Sequence, residues 1–276
     1  RVDRRAMLGS ARPIHSVPAK RNVSSWSLGI DIGGTFTDVV ALDHANARQH
    51  GAKVLTTHDD PTRGVVAAIE TLIRSAAMRV EDVARVVHAT TLFTNALIER
   101  RGAATALLTN AGFEDVLEVG NERKYDLYDL SIERAPPLVP RPWRAGIAGR
   151  LGARGEEIEA PSPDEAVSIV GAFREQGVES IAICLLHAWA SDRHERLIAD
   201  ALKRVFPDLP LTLSSEIAPV IREYERTSTT VASAYVKPLA TRYLDTLEQR
   251  LQGLGLKAQV LMMLSNGGLT HLRQAR

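Results

Sequence analysis

The chain has 276 residues, 45% of them hydrophobic and 24% charged, with a formal net charge of +1. That is ordinary globular composition, enough for one large domain or two smaller ones. Residues 1–26 carry six bases and one acid, so of the chain's 34 bases and 33 acids the remainder keeps 28 and 32; this mildly acidic body argues against a nucleic-acid binder. A single cysteine, Cys184, excludes an internal disulfide and fits a reducing, cytoplasmic setting. No apolar run reaches the roughly 18–20 residues of a membrane span. The leader 1–26 lacks the apolar core of a signal peptide. It reads as a disordered segment, or, from its arginines, serines and scarcity of acids, as a transit peptide.

In chain order, Ser27–Asp31 predicts a buried strand, Gly33-Gly34 a turn, Thr37–Leu42 a second strand and His50–Thr56 a third. Pro61 opens a helix to about Met78, with Val65, Val66, Ile69, Leu72 and Ile73 on one face. Arg85–Ala89 is a strand, Thr91–Arg101 a helix and Thr105–Leu108 a strand of the same unit; the alternation implies a largely parallel sheet. Residues 119–160, rich in Pro and Gly, read as an extended crossing with one strand near Trp143–Leu151. A second α/β unit follows: helix Pro163–Gln176, strand Ser180–Leu186, helix Asp192–Phe206 and strand Leu211–Leu213. A long helix covers about Glu225–Gln252, where Pro238 is expected to kink or split it. The strand Gln259–Leu264 is apolar without alternation, as in a strand covered on both faces.

The sharpest chemical signal is Asp31-Ile32-Gly33-Gly34-Thr35-Phe36-Thr37-Asp38. A carboxylate ending a buried strand, two glycines and two hydroxyl residues describe a phosphate-holding hairpin. Glycine lets backbone N–H groups approach phosphate oxygens with no Cβ in the way. Thr35 and Thr37 are two apart, so both hydroxyls are expected on one side. Asp31 would hold a cation through water, since hard cations take oxygen ligands. The bland alternative is a plain hairpin with a Gly-Gly turn. The string at Gly253, Gly255 and Ala258 follows a helix, which fails the context of a dinucleotide fingerprint. His88-Ala89-Thr90-Thr91 sits at a strand-to-helix junction, where Thr90 and Thr91 either contact an anion or cap the helix. Cys184 lies in an apolar strand and reads as an inert buried thiol, His187 as an edge histidine, and His194-Glu195 lacks the second histidine of a zinc helix.

Asp31–Asp38 resembles the first phosphate motif of the actin-like ATPase superfamily. His88–Arg100, Tyr125–Leu130, Arg222–Thr230 and Ser265–Leu269 are similar to strings of the hydantoinase/oxoprolinase family, in the N-terminal region of its A-type subunits, and the likeness runs over about residues 27–276. It implies an α/β fold, the actin-like (ribonuclease H-like) N-terminal lobe with an inserted or appended second α/β unit, with the second lobe beyond this sequence. The family division would be 27–205 for the N-terminal domain and 206–276 for the start of the central one. The implied activity is ATP-dependent hydrolysis of a cyclic amide, with a ketone carboxylase subunit or a non-catalytic nucleotide-binding module as alternatives. The implied cofactors are ATP and Mg²⁺; the implied partners are a small cyclic amide and a hydantoinase B-type subunit, in an oligomer.

On that resemblance Asp31 positions Mg²⁺ through water, Gly33, Gly34, Thr35 and Thr37 hold phosphate, and Asp38 orients the loop or assists the metal. Thr90 and Thr91 touch phosphate or substrate, and Glu223, Arg226 and Thr229 stand near the substrate. The plain reading of Glu223 and its neighbours is acids favoured at a helix start. Ala89 replaces a family glycine, which would strain any position requiring positive φ. With half of a nucleotide site present, ATP is expected to bind weakly.

Overall fold

The structure, a computed structural model, describes residues 26–57, 59–121, 128–129, 131–132 and 135–275. It begins with a meander of β1 (Trp26–Ile32), β2 (Phe36–Asp43) and β3 (Arg48–Leu55), followed by α1 (Pro61–Ala76), β4 (Val83–Thr90) and α2 (Leu92–Ile98). Then come β5 (Thr105–Asn110), α3 (Val116–Val119), β6 (Arg144–Ile147), β7 (Arg150–Leu151), β8 (Glu157–Glu159), α4 (Pro163–Glu175), β9 (Ser180–Ile183), α5 (Arg193–Val205), β10 (Leu211–Leu213) and α6 (Ser214–Ile217). The chain continues as α7 (Glu223–Gly253), β11 (Gln259–Met263), β12 (Leu269–His271) and α8 (Leu272–Ala275).

Two main sheets result. The first has the order β12-β11-β4-β1-β2-β3 and the second the order β10-β9-β5-β6. In the first, β1 pairs antiparallel with β2 and parallel with β4, and β11 adds in parallel to β4. This is the arrangement expected of a ribonuclease H-like lobe. The second sheet is parallel throughout. Because β5 pairs with β6 and β9, the expectation that Thr105–Leu108 belongs to the first unit is corrected. The second unit is therefore inserted between α2 and the middle of α7, and the first sheet recruits β11 from beyond it. Tyr125, Asp126, Leu127 and Leu130 lie outside the described residues.

Each unit has its own core. Leu28, Ile30 and Ile32 of β1, with Val39 and Ala41 of β2, pack against Val65, Ile69 and Leu72 of α1 and Tyr243, Leu244 and Leu247 of α7. Asp60 starts α1 by accepting from Thr62 N–H at 3.2 Å, Pro61 follows at the first helical position, and Ala77 ends it at φ 50°. The Asp60 carboxylate is also paired with Arg250 near the end of α7. In the inserted unit α4 and α5 cover one sheet face, and the N-terminal half of α7 covers the other through Val231 and Ala234. The Glu195 carboxylate is fully buried there and accepts from Leu185 N–H (2.9 Å), Ser214 hydroxyl (2.6 Å) and Ser215 N–H (2.9 Å). Three donors offset the desolvation of the charge and pin α5 to the start of α6.

Pro238 does not split α7, which runs as one helix of 31 residues. Proline has no N–H for the Ala234 carbonyl and crowds the preceding turn. The adjacent Tyr235 carbonyl instead accepts from Ala103 N–H at 2.9 Å, a donor supplied from the entry to β5. Gly102 makes that approach possible, since a Cβ there would collide with the Tyr235 ring and lie 2.6 Å from its carbonyl oxygen. The stretch read as one strand near Trp143–Leu151 is two, β6 and β7, and β7 turns back to pair with β8. β11 is buried at Met262 on the core face, whereas Met263, Leu264 and Leu269 on the other side are about half exposed, so it is covered on one face among the described residues.

Gly102→Ala is expected to lower stability by about 1–3 kcal/mol, because the methyl overpacks a backbone contact. Urea unfolding should show a lower midpoint with an unchanged slope. Gly29→Ala is the control: a Cβ added there would meet no atom within 4 Å, so its midpoint should match the parent or exceed it. Equal midpoints for both variants would remove Gly102 from the junction.

Candidate phosphate-binding site

The turn between β1 and β2 is closed by Gly33 N–H donating to the Phe36 carbonyl at 3.0 Å. It is braced from β3's end by Thr56, whose N–H donates to the Thr35 carbonyl (2.9 Å) and whose hydroxyl donates to the Gly33 carbonyl (3.0 Å). The Gly33, Thr35 and Phe36 carbonyls are therefore all occupied by donors of the fold. Among the described residues the Gly34 and Thr35 N–H groups donate to no carbonyl, and Gly34, Thr35 and Asp31 are exposed. Two free amides on an exposed glycine turn are donors available to an anion's oxygens.

Thr37 is not part of that surface. It is completely buried; its hydroxyl lies 3.1 Å from the Thr56 hydroxyl and beneath α1, where a Cβ on Gly64 would come within 3.2 Å of it. The expectation that Thr35 and Thr37 present their hydroxyls together is thus corrected: Thr35 lies in the turn itself, outside the pleat that would align the two. Asp38 is likewise engaged, salt-bridged to Lys53 at 2.9 Å with the lysine also 4.7 Å above the Phe36 ring. Register puts Asp31 opposite Asp38, and Asp38 opposite Lys53, on the outer face of the sheet. Lys53 offsets the like-charge pair and leaves Asp31 as the unpaired carboxylate beside the turn.

The β4–α2 junction comes alongside because β4 is parallel to β1, with Ala89 level with Asp31 and Thr90 with Ile32. The Thr90 hydroxyl donates to the Ile32 carbonyl (3.3 Å) and accepts from Leu92 N–H (3.0 Å), so it ties the turn to α2 as a cap. Thr91 is exposed, and its hydroxyl is met by the Asn95 amide at 3.4 Å. Of the two threonines, Thr91 is the one free to meet a ligand. Ala89 lies in regular strand and is not among the positive-φ residues, so it replaces a glycine without backbone strain. α2 has only seven residues, which leaves little macrodipole.

Under this junction His88 is fully buried, with the Tyr243 hydroxyl 2.6 Å from Nε2 and the Ile30 carbonyl 3.4 Å from Nδ1. Burial lowers its pKa from 6.5 to about 4, so the imidazole is neutral: it donates from Nδ1 and accepts from tyrosine. Burial pushes the Tyr243 phenol well above its usual range. Sequence reasoning passed over this pair, because only the sheet register brings His88 to α7.

The other expected site residues lie elsewhere. α7 rises about 1.5 Å per residue, which puts Arg226 and Glu223 roughly 25–30 Å along the helix from Tyr243. They lie at the other half of α7 from the residue that meets His88. Arg226 is 1% exposed; it donates to the Leu185 carbonyl at 2.7 Å, while its Nε lacks a partner. Thr229 donates back to the Glu225 carbonyl at 2.7 Å. Glu223 lines a groove of about 410 Å³ with Phe113, Val116, Arg222 and Tyr224. Cys184 is buried, its Sγ 3.1 Å from the Thr227 hydroxyl, and burial raises its pKa, as befits an inert thiol. His187 sits at φ 58° with Nδ1 unpartnered, so it is not the satisfied edge histidine the sequence suggested. A cavity of about 750 Å³ is lined by Glu248, Lys257, His271 and Arg273 at the β11–β12 edge of the first sheet.

A glycine turn with free amides, a carboxylate at its strand end and a hydroxyl from a parallel neighbour stand together at one end of the first sheet of this α/β protein. The chain belongs to the hydantoinase/oxoprolinase family: residues 27–206 match the family's N-terminal region and residues 226–276 the hydantoinase/oxoprolinase model that follows it. It is 35% identical over 250 residues to the caprolactamase alpha subunit of Pseudomonas jessenii, covering 88% of this chain and 36% of that one. It is 28% identical over 279 residues to the 5-oxoprolinase of Saccharomyces cerevisiae, covering 88% of this chain and 22% of that one. Among solved structures, the ATP-dependent caprolactamase of Pseudomonas jessenii superposes with a TM-score of 0.77 at 35% identity, over 88% of this chain and 36% of that one. Nucleotide-free acetone carboxylase superposes with a TM-score of 0.81 at 24% identity, over 90% and 37%, which speaks to fold. The chain thus spans about a third or less of these relatives' length.

The buried neutral His88 predicts a pH dependence. Its folded pKa lies below its unfolded one, so the unfolded chain binds the extra proton between pH 6.5 and about 4. Stability contributed by this site is complete above 6.5 and falls by up to about 3 kcal/mol as pH drops to 4. Denaturant unfolding of the parent and of His88→Gln across that window should show a shallower slope for the variant. Parallel slopes would mean that His88 is not held neutral.

Proposed function

We propose that this chain is the phosphate-holding N-terminal part of an ATP-dependent enzyme that opens cyclic amides. The observation that carries the reading is the exposed Gly33–Thr35 turn, with the Gly34 and Thr35 amides free and unpaired Asp31 alongside. An amide carbonyl is a poor electrophile, and ATP would phosphorylate its oxygen, releasing ADP. Water then adds to the activated carbon, the ring C–N bond breaks with the nitrogen taking a proton, and phosphate is released by hydrolysis of the acyl phosphate. In this reading the turn amides and the Thr35 and Thr91 hydroxyls hold phosphate oxygens. Asp31 takes Mg²⁺ through a water, as an exposed carboxylate with no competing base can. Asp38 and Lys53 keep the hairpin's outer face neutral, while Thr37, Thr56 and Thr90 fix the turn from below. Arg226 positions the β9 end and the start of α7 instead of touching this substrate.

The relatives that act on lactam-type rings support a cyclic amide over a ketone, since caprolactamase is 35% identical and the acetophenone carboxylase gamma subunit of Aromatoleum aromaticum 27%. Both are named as subunits, which supports assembly with a second, B-type subunit.

Calorimetry of the chain with Mg-ATP tests the nucleotide part. Weak, saturable binding is expected, and Asp31→Ala should abolish it, while Glu223→Ala, about 30 Å along α7 from Tyr243, should bind like the parent. Binding indifferent to Asp31 would place the nucleotide elsewhere. For the reaction, the natural polypeptide with its partner subunit should release ADP in the presence of a lactam; ADP release only with a ketone and bicarbonate would favour the carboxylase.

A further inference from the structure

Gly34 is approached by one side chain. A Cβ built on it would lie 3.6 Å from the Asn95 Nδ2, with no other atom within 4 Å. Asn95 belongs to α2, where its N–H donates to the Thr91 carbonyl at 2.9 Å and its half-buried carboxamide reaches back toward the Thr91 hydroxyl at 3.4 Å. The carboxamide therefore stands over the turn, between the exposed hydroxyl of Thr91 and the backbone of Gly34. It carries two N–H donors, and one hydrogen bond to Thr91 leaves the second uncommitted.

The surroundings give that donor a purpose. The Gly34 and Thr35 amides on the same turn also lack carbonyl acceptors among the described residues. Three uncommitted donors from two elements converge on a place where the absent Gly34 side chain leaves room. Three backbone acceptors of the turn and its neighbour strand are occupied: the Gly33 and Thr35 carbonyls by Thr56 and the Ile32 carbonyl by Thr90 and Thr91. Such an arrangement is unfavourable for a cation and suited to an oxyanion with several lone pairs.

We propose that Asn95 is a further ligand of the nucleotide's phosphate, its carboxamide donating to a phosphate oxygen held against the Gly34 and Thr35 amides. This rests on the turn being the phosphate site. It makes α2 the second wall of the grip, so that the β1–β2 turn and the β4–α2 junction close on the phosphate from two sides. A merely supporting Asn95 would act through Thr91 alone.

Asparagine-to-aspartate exchange separates the two roles. Aspartate keeps the size of Asn95 and can accept from the Thr91 hydroxyl, so it preserves support, but it places a negative charge beside the phosphate. The probe is magnesium tripolyphosphate, which carries the phosphates without adenosine, titrated into isotopically labelled chain and followed by amide NMR shifts. Saturable shifts are expected at Gly34 N–H, Thr35 N–H and the Asn95 side-chain NH₂ together. Affinity should fall about tenfold or more in Asn95→Ala, the range for a hydrogen bond to a charged group, and further in Asn95→Asp, with unfolding temperatures unchanged. Asn95→Asp binding like the parent, or an Asn95 NH₂ signal that stays still while Gly34 and Thr35 shift, overturns the proposal and leaves the turn reading intact. No saturable shift at Gly34 and Thr35, or shifts that persist in Asp31→Ala, overturns the turn reading first.

Discussion

The helix α7 is the constraint on which the rest of the molecule depends. Its C-terminal half supplies Tyr243, Leu244, Leu247 and Leu251 to the core under the first sheet, and its N-terminal half supplies Val231 and Ala234 to the back of the second. No other described helix contributes to both cores. A bend in it would change the angle between the two sheets, and Pro238 sits in its middle. The hydrogen bond from Ala103 to the Tyr235 carbonyl, allowed by the bare Cα of Gly102, ties the helix next to that proline. The Tyr243–His88 contact then registers α7 against β4, and β4 against the strand that carries Asp31.

Around the Gly33–Thr35 turn, the candidate phosphate site, polar groups divide by depth. Thr37 and Thr56 lie below and hold the backbone, and Thr90 closes the seam to α2. This leaves Asp31, Thr35, Thr91 and the turn amides outward. A loop that must offer N–H groups to an anion has its carbonyls directed elsewhere, and the hydroxyls of Thr56 and Thr90 serve that end. Rigidity at such a site matters because donors fixed in advance need not reorganise when the ligand arrives.

Much of the site's location was legible in the sequence, and much of its inner geometry was not. The hairpin is a local structure: apolar alternation, a Gly pair and returning threonines specify it within sixteen residues of chain, and the structure agrees. Pro61 marked the start of α1 for equally local reasons. Which threonine faces the ligand depends instead on where α1 packs and on the register of β3, neither of which is encoded near Thr37. The strand after α2 joined the other sheet because its partners come from residues 144–147 and 180–183. Pro238 was expected to kink or split α7, and it does not split it; the hydrogen bond beside the proline comes from Ala103, far away in sequence. The string at Arg222–Thr230 carried a strong family likeness but no information about where along α7 it would stand relative to Tyr243.

The contact between Ala103 and Tyr235 has an architectural meaning as well. Residues 104–234 hold the whole second sheet, and the chain enters and leaves this unit at two points joined by one hydrogen bond of 2.9 Å. A segment whose ends touch can be spliced into a host fold without stretching it, which is the geometric condition for domain insertion. The host would close over the gap with a short loop from α2 to the rear half of α7, retaining β11 beside β4 and the turn at Gly33–Thr35 undisturbed. The inserted unit is thus a cassette whose removal or exchange would leave the β1–β2 hairpin and its neighbour β4 in place.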